Sequence, residues 1–357
     1  MSSIQTILDS KHNNYSEISK AFQQKFGFDI VDGHNQNILP TKTGSVIIPF
    51  YKDPLILQKN LLALHNQNLP IDFKRNKLEV IIIQDGPLVN TGIIKVFLSK
   101  NQLSYSIRYL QLKENHGPAV AMNLGLLFAH NQIAIFLDPD MMVHKNFIRS
   151  HLIRHEISDQ TIIVGFRKNI SRNLFRKKIK ALSENSYCLN RPSCKQDFRY
   201  KRFVPIEWQD AFINVNRDNF NKMWYPLKES CNFLDFGKGR IIGVWDLPFM
   251  FLTCNASVPR KKIIKVGGFD TRFEKNILED THLAARLIAL GMYVIPNLEA
   301  TAYHVAHKAP KKQHHEKFKR NFQLYTKFKK ENLIYYSENE WREKMKNYFK
   351  NKFEIIN

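Results

Sequence analysis

The sequence predicts an α/β fold in which a mainly parallel central sheet is covered by helices on both faces. From Ser45 onward, nearly continuous apolar segments of strand length alternate with amphipathic segments of helical length. Strands that are apolar along their whole length are typical of parallel sheets, because both faces of such sheets are buried. Polar residues follow directly after several of these strands, at the edge where α/β sheets bind their ligands.

The elements follow one another in the order βαβαβαβ. The first pair is the strand SVIIPF and the helical segment LILQKNLLALHNQ. There follow LEVIIIQDG, the helical IIKVFLSKN, SIRYLQL, the helical AVAMNLGLLFAHN and IAIFLDPD. After a region in which the pattern is weak, order returns with PFMFLTCNASVPRKKIIKVGGFD, the helical EDTHLAARLIALG and the strand-like YVIPNLEATAYHV.

These patterns divide the chain into three parts. Residues 1–43 show helical spacing of apolar residues and are predicted to form an N-terminal helical extension. Residues 44–310 form the α/β domain, in which 167–240 is a basic, aromatic-rich insertion. Residues 311–357 are predicted to form a basic helical C-terminal tail.

The charge of the chain predicts an anionic partner. The 357 residues include 54 Lys and Arg but only 32 Asp and Glu, which gives a formal net charge of +22. Nucleic acid, an anionic membrane surface and phosphorylated small molecules all match this charge. The sequence shows no secretory signal, no convincing membrane span and no C-x-x-C pair among its four cysteines. We therefore expect a cytoplasmic protein, with peripheral contact at the inner face of a membrane as its closest association with lipid.

The triplet Asp138-Pro139-Asp140 ends the apolar run IAIFL. Both carboxylates should therefore project from the carboxyl end of a strand, with one residue between them. Mg²⁺ and Mn²⁺ prefer oxygen ligands and bind through one or two protein carboxylates together with substrate phosphates. The alternative interpretation is a strand-ending turn, in which proline and aspartate are favoured for conformational reasons.

Glu279 and Asp280 open an amphipathic helix in KNILEDTHLAARLIALG. A carboxylate here is a candidate general base that removes a proton from an acceptor hydroxyl. The alternative is structural, because acidic residues also stabilise helix N-termini. His304 in ATAYHVAH ends a predicted strand and is a candidate metal ligand, with His307 as the competing residue and a structural role as the alternative.

Seven motifs in order identify a resemblance. They are SVIIPFYK, EVIIIQDG, ENHGPAVAMNLGL, AIFLDPDM, VGGFD, LEDTHLAARL and AYH. Together they resemble the GT-A family 2 glycosyltransferases, including the N-acetylgalactosamine-transferring module of bacterial chondroitin polymerases. The resemblance covers roughly residues 44–310 and implies a GT-A, Rossmann-like fold. The insertion 167–240 is expected to shape the acceptor side.

The resemblance assigns roles to single residues of a donor site. It implies that Asp85 contacts the uracil of a UDP-sugar and that Pro49 and Tyr51 flank the base. A turn-capping role before Gly86 is the alternative for Asp85. Arg167 and Lys168 in IVGFRKNIS would face the diphosphate, although a solvated basic turn is an equal alternative.

The same resemblance assigns the metal and the chemistry. Asp140 and His304 would bind Mn²⁺ or Mg²⁺, with Asp138 approaching the metal or the donor's ribose or sugar. Asp280 would be the catalytic base, and Glu279 would hold a sugar hydroxyl. A weaker correspondence places Asn255 near the donor or acceptor sugar.

Two departures from the family pattern concern selectivity. Many relatives have A-R-N at the position of Ala121-Met122-Asn123, and W-G-G at the position of Asn276-Ile277-Leu278. The second segment lines the pocket of the donor sugar and the acceptor in the family. The sugar identity is therefore not inherited from the resemblance.

The resulting hypothesis is metal-dependent, inverting transfer of a sugar from a UDP-sugar to an acceptor hydroxyl. The acceptor is expected to be a glycan, a lipid-linked molecule or a peptide. The alternatives are a retaining GT-A transferase, a transferase acting on a peptide or natural product, a non-catalytic sugar-nucleotide binder and a basic nucleic-acid-binding protein. No recognised nucleic-acid-binding module supports the last of these, so we expect no nucleic-acid partner.

Overall fold

The protein was analysed as a computed structural model that describes residues 2–10, 13, 15–31, 33, 37–87, 92–170, 195–196, 241–242, 245–273, 277–305 and 311–356. In this part of the chain, ten strands form one sheet flanked by helices, which confirms the predicted α/β fold class. Six of the strands run in the same direction, namely Gly44–Phe50, Leu78–Gln84, Ser106–Leu112, Ile133–Leu137, Thr161–Ile170 and Tyr293–Val305. The others run in the opposite direction, so the sheet is mixed.

The strands alternate with helices as the sequence predicts. The strands are β1 (Gly44–Phe50), β2 (Leu78–Gln84), β3 (Ser106–Leu112), β4 (Ile133–Leu137), β5 (Met141–Met142), β6 (Thr161–Ile170), β7 (Lys195–Gln196), β8 (Ile241–Ile242), β9 (Trp245–Asp246), β10 (Asn255–Pro259), β11 (Tyr293–Val305) and β12 (Phe353–Ile355). The order across the sheet is β12-β3-β2-β1-β4-β10-β6-β11-β5, with β7 paired to β6. Strands β8 and β9 form a separate pair.

The helices differ widely in length. They are α1 (Ile4–Ser10), α2 (Ser16–Phe26), α3 (Pro54–His65), α4 (Ile71–Lys77), α5 (Gly92–Lys100), α6 (Pro118–Phe128), α7 (Phe147–Ile153), α8 (Arg260–Lys265), α9 (Glu279–Ala289), α10 (Lys311–Phe328) and α11 (Glu338–Phe349). A 3-10 turn spans Leu247–Met250. No described helix is both long enough and apolar enough to cross a membrane.

The sheet separates two apolar cores. Successive side chains of a strand point to opposite faces, and neighbouring residues of β1 accordingly enter different cores. Ile47 packs with α6, whereas Val46 and Ile48 pack with α3. This two-sided burial explains why the strands are apolar along their whole length.

Buried polar contacts attach the N-terminal segment to the sheet. The Arg154 side chain is fully buried and donates hydrogen bonds to the carbonyl oxygens of Ile30 (2.5 Å) and Gly33 (2.9 Å). Asn13 exchanges two hydrogen bonds with the backbone of Val294 at the start of β11. The described part of residues 1–43 therefore packs on the α/β domain.

The C-terminal segment also contributes to the core. Trp341 of α11 is fully buried, and α11 packs against α6 and α8. The Arg342 guanidinium donates a hydrogen bond to the carbonyl oxygen of Leu127 at 2.9 Å. Strand β12 then pairs antiparallel with β3 and extends the sheet. Most of the insertion expected at 167–240 lies outside the described residues, and the proposed domain boundaries stay predictions.

We expect Trp341→Ala to destabilise the whole domain. Removal of a fully buried Trp side chain costs about 3–5 kcal/mol of unfolding free energy. Chemical denaturation measures this loss. Tyr335→Ala is the matched control, because Tyr335 lies nearby in sequence and is 54% exposed. Equal stability of the two variants would contradict the packing of α11 into the core.

Candidate functional site

Three neighbouring parallel strands end at one edge of the sheet. In the register, Phe50 at the end of β1 lies beside Gln84 at the end of β2, and Ile47 lies beside Phe136 of β4. The residues that follow these strands, Tyr51, Asp85 and Asp138, are therefore brought to the same edge. In α/β sheets this edge is where ligands bind.

Residues Asp138 to Met141 form a β-turn directly after β4. The Met141 amide donates a hydrogen bond to the Asp138 carbonyl at 3.1 Å, and proline at the second turn position suits this geometry. The strand-ending turn of the alternative interpretation is thus present. The turn leads directly into β5, which pairs with β11. Its third residue, Asp140, therefore lies immediately before this pairing.

The pairing of β5 with β11 brings His304 to this turn. Met141 is the register partner of His304, and the Val305 amide donates to the Asp140 carbonyl at 3.0 Å. As a result, His304 Nε2 lies 3.3 Å from Asp140 Oδ2. The competing residue His307 lies outside the described residues.

Glu279 and Asp280 occupy the first turn of α9. The helix starts directly after Leu278, which has a left-handed backbone (φ 71°). The Asp280 carboxylate accepts a hydrogen bond from the Thr281 amide at 2.7 Å. The Glu279 side chain is buried, and its Oε2 has no hydrogen-bond partner among the described residues. Glu279 and Asp280 thus place two carboxyl groups at the start of α9.

Electrostatic interactions connect the carboxyl groups after β4, Asp138 and Asp140, with those at the start of α9, Glu279 and Asp280. Burial, followed by the neighbouring Asp140 charge, raises the pKa of Asp138 to about 7, and Asp280 contributes in the same direction. Burial, followed by the Asp280 charge and also by Asp138, raises the pKa of Glu279 to about 8. Burial raises the pKa of Asp280, and backbone hydrogen bonds oppose this shift. These carboxyl groups are therefore close enough to influence one another.

Arg167 of β6 is the cation of the cluster. Its positive charge opposes the upward shift of the Asp138 pKa, as does His304. The Arg167 Nη1 also lies 3.8 Å from the Cys254 sulfur. Lys168 follows Arg167 in β6, but its side chain lies outside the described residues. The contact of both residues with a diphosphate stays a prediction.

The residues expected around the base differ in exposure. Tyr51 is 42% exposed, and Pro49 lies in β1 one residue before its end. Asp85 is buried, and its carboxylate accepts hydrogen bonds from the amides of His116 (2.7 Å) and Gly117 (2.8 Å) and from the Asn115 side chain (3.1 Å). Asp85 thus fixes the turn before α6, and its contact with uracil stays a prediction.

Two polar residues that sequence reasoning did not assign hold the site in place. Asn60 of α3 donates to the carbonyls of both Asp138 and Met141. Glu299 of β11 forms buried ion pairs with Arg149 and Arg154 at 3.2 and 3.3 Å. Asn60 is an amide within the otherwise apolar face of a helix, and this break in the pattern is the signal by which it could have been found.

Asn255, assigned by resemblance to a sugar contact, is fully buried between strands. Its Nδ2 donates to the carbonyls of Phe166 in β6 (2.9 Å) and Ala300 in β11 (2.6 Å). The register between these strands shifts between Asn297 and Ala302. Asn255 therefore supports the irregular part of β11, which leads to His304. Such irregularities re-aim side chains near functional sites.

The donor set fits a divalent cation that is completed by a substrate. Among the described residues, no group of three or more His, Cys, Asp and Glu side chains is arranged to hold a metal ion alone. Asp140 and His304 are in contact, and the like charge of Asp138 raises the electrostatic cost of the site. Sites of this kind for Mg²⁺ or Mn²⁺ use few protein ligands and leave positions for phosphate and water.

Comparison with known protein families gives a match to part of the chain. Residues 45–215 match the family model "Glycosyl transferase family 2". Glu279, Asp280 and His304 lie beyond the matched segment, but the structure brings His304 to Asp140 within it.

The similar proteins carry glycosyltransferase names. The "Uncharacterized glycosyltransferase YfnE" of Bacillus subtilis (strain 168) is 27% identical over 267 residues, which are 74% of this chain and 64% of the relative. The dolichyl-phosphate beta-glucosyltransferase of Dictyostelium discoideum is 30% identical over 166 residues, which are 45% of this chain and 50% of the relative. The chain thus spans less than two thirds of the length of either relative.

Solved structures that are similar to this chain include the mannosyltransferase PcManGT from Pyrobaculum calidifontis in complex with GDP-Man and Mn²⁺. Its TM-score is 0.46 at 14% identity, with 88% of this chain and 70% of that chain covered. The family match and the similar sequences together support a glycosyl transferase family 2 domain in this chain.

Proposed function

We propose that this protein is a divalent-cation-dependent glycosyltransferase that moves a sugar from a UDP-sugar to an acceptor hydroxyl with inversion. The observation that carries the proposal is the contact between Asp140 and His304, which lies within electrostatic range of the Glu279–Asp280 pair. A candidate metal-ligand pair and a candidate base would then act at one site, because the Asp280 charge acts on Asp138 in the same turn as Asp140. The match to glycosyl transferase family 2 supports the reaction class.

The donor would lie across the ends of β1, β4 and β6. Tyr51 exposes an aromatic side chain beside β1 that suits stacking on a nucleobase. The Arg167 guanidinium would balance the negative charge of the diphosphate. Asp138, Asp140 and His304 would hold Mn²⁺ or Mg²⁺, which when bound neutralises the charge that develops on the departing nucleoside diphosphate.

Asp280 is the proposed general base. Its carboxylate would accept the proton of the acceptor hydroxyl while the hydroxyl oxygen forms a bond to the anomeric carbon. The bond from that carbon to the diphosphate oxygen breaks on the opposite face, and a single displacement inverts the configuration. A raised pKa makes Asp280 a stronger base, because general-base efficiency increases as the pKa approaches the operating pH.

Glu279 has a different proposed role. Because its pKa is about 8, the carboxyl group is largely protonated at neutral pH and can donate a hydrogen bond. A sugar hydroxyl would then provide the partner that Glu279 Oε2 does not have among the described residues. Neighbouring carboxyl groups whose pKa values differ are characteristic of sites in which one carboxyl group accepts a proton and the other stays protonated.

We further propose that the acceptor is presented at an anionic membrane surface. Residues 311–330 contain eight Lys and Arg but one Glu. On α10, Phe318 and Phe322 are 38% and 44% exposed, and their rings stack at 5.9 Å. Basic residues beside exposed aromatics are typical of peripheral membrane contacts. The Dictyostelium relative is named for transfer to dolichyl phosphate, which favours a lipid-linked acceptor over a glycan or peptide.

Two substitutions test the separation of metal binding from chemistry. We expect Asp140→Ala to abolish Mn²⁺-dependent binding of UDP-sugars, measured by calorimetry. Asp280→Asn should retain that binding but lose at least about a hundredfold in transfer rate, because the proton acceptor is removed. A screen of UDP-sugars, with and without a chelator, identifies the donor to be used in these measurements.

The stereochemistry of the product is an independent part of the same experiment. Analysis of the anomeric configuration by NMR should show inversion relative to the donor. Retention of configuration would exclude the single-displacement mechanism, and full transfer by Asp280→Asn would exclude Asp280 as the base.

The protonation of Glu279 should affect stability. The folded-state pKa is raised from 4.5 to about 8, so the folded protein binds a proton that the unfolded chain releases between these values. Its contribution to stability is therefore present at low pH and is lost as the pH rises through 8. In the wild-type protein the free energy of unfolding should therefore fall as the pH rises from 6.5 to 8. Without divalent cations, we expect Glu279→Gln to make this fall less steep by about 1 kcal/mol per pH unit. Denaturation curves at several pH values measure the slopes, and parallel slopes for both proteins would contradict the assignment.

The double variant Phe318→Ser/Phe322→Ser should reduce sedimentation with vesicles of phosphatidylcholine and phosphatidylserine. Two partly buried Phe side chains contribute enough to weaken binding by at least about tenfold. Val96→Ser on α5 is the control, because Val96 is also exposed and apolar. Unchanged sedimentation of the double variant would remove α10 as the membrane contact.

A further inference from the structure

Asn60 is a buried polar residue in the middle of α3. It has no accessible surface, and its neighbours Leu57, Leu61 and Leu64 pack into the apolar core. Asparagine is unfavourable inside helices, because its side chain competes for backbone hydrogen bonds. A buried asparagine at this position therefore indicates a tertiary contact that offsets the cost.

The contact is made with the turn that leads from β4 to β5. Asn60 Nδ2 donates to the Met141 carbonyl at 2.6 Å and to the Asp138 carbonyl at 3.2 Å. These two carbonyls belong to the first and last residues of the β-turn that carries Asp140. Both protons of the amide are thus used on one turn.

The orientation of the amide is determined by its partners. Rotation by 180° would place Oδ1 against two carbonyl oxygens, which offer no proton. In the observed orientation Oδ1 is buried and has no hydrogen-bond partner among the described residues. An orphaned buried acceptor is costly. The two bonds to the turn are therefore the favourable contacts that account for the residue.

The turn is closed by one backbone hydrogen bond, and β5, which follows it, is only two residues long. Backbone hydrogen bonds also join Asp138 to Cys254 (3.3 Å) and Asp140 to Val305 (3.0 Å), so the Asn60 side chain adds a restraint from the opposite direction, that of α3. The position of Asp140 relative to His304 depends on this short segment. By spanning both ends of the turn, Asn60 connects it to α3, which is packed against the sheet.

We infer that Asn60 is a positioning residue for the cation site, fixing the turn so that Asp140 faces His304. This inference rests on the proposed function of Asp140 and His304 as metal ligands. Residues that orient metal ligands typically affect metal affinity by about 10–100-fold. The Asn60 amide donates to backbone carbonyls of the turn, so it would act on the site through the backbone of the turn.

The test compares Asn60→Leu and Asn60→Ser with the control Asn13→Leu. Leucine fills a similar volume without a donor, and serine keeps one hydroxyl donor if the leucine variant does not fold. Asn13 is also a buried asparagine that bonds backbone groups, but its partner is Val294 at the opposite end of β11. The control therefore measures a general loss of stability.

Two readouts are used on the full chain. In the presence of chelator, hydrogen exchange of the Met141 and Val305 amides should become at least about tenfold faster in Asn60→Leu but not in Asn13→Leu. Calorimetric titration with Mn²⁺ and UDP should show at least about tenfold weaker metal binding in Asn60→Leu only. Asn60→Ser should give an intermediate value.

The outcomes separate the inference from the function on which it rests. Unchanged exchange and unchanged Mn²⁺ affinity in both Asn60 variants, with loss of binding in Asp140→Ala, would overturn the role of Asn60 and leave the proposed function standing. If the wild-type protein binds no Mn²⁺ with UDP, the proposed function fails and the inference fails with it. Equal effects in Asn13→Leu would reduce Asn60 to a structural residue.

Discussion

The short antiparallel pairing between β5 and β11 is the interaction on which the candidate site depends. It places Met141 and Met142, which follow Asp140, against Tyr303 and His304 near the end of β11. The parallel strands β1, β2 and β4 bring polar residues to one edge, but they do not supply His304. Among the described residues, the pairing of β11 with Met141 and Met142 brings the His304 imidazole to the Asp140 carboxylate. The register between β5 and β11 therefore determines the distance between the two candidate metal ligands, Asp140 and His304.

The site accumulates negative charge in a buried environment, which is unfavourable without a counter-charge. Burial and mutual repulsion raise the pKa values of Asp138 and Glu279. A folded protein retains such groups at a cost in stability, and binding of cationic ligands or protons offsets that cost. The candidate site is thus rich in carboxyl groups, although the chain as a whole has a formal net charge of +22.

Buried polar residues connect the elements that shape this site. Asn60 ties α3 to the turn after β4, and Asn255 ties β10 to β6 and β11. Glu299, paired with two buried arginines, lies where β11 becomes irregular. Each makes specific contacts that apolar packing cannot provide, because hydrogen bonds are directional and buried donors need partners. They explain how a sheet built from apolar strands ends in an ordered arrangement of polar groups.

The sequence by itself determined the alternation of strands and helices, the burial of both sheet faces and the strand ends at which Tyr51, Asp85 and Asp138 lie. These properties follow from local periodicity, which a single chain displays directly. The antiparallel strands β10, β5 and β12 within the sheet, the position of Trp341 in the core and the supporting role of Asn60 were decided only by tertiary structure. Tertiary structure also decided that the Asp85 carboxylate accepts hydrogen bonds from the turn before α6. The physical reason is that these contacts join residues far apart in the chain, and their geometry depends on register and burial, which local pattern does not encode.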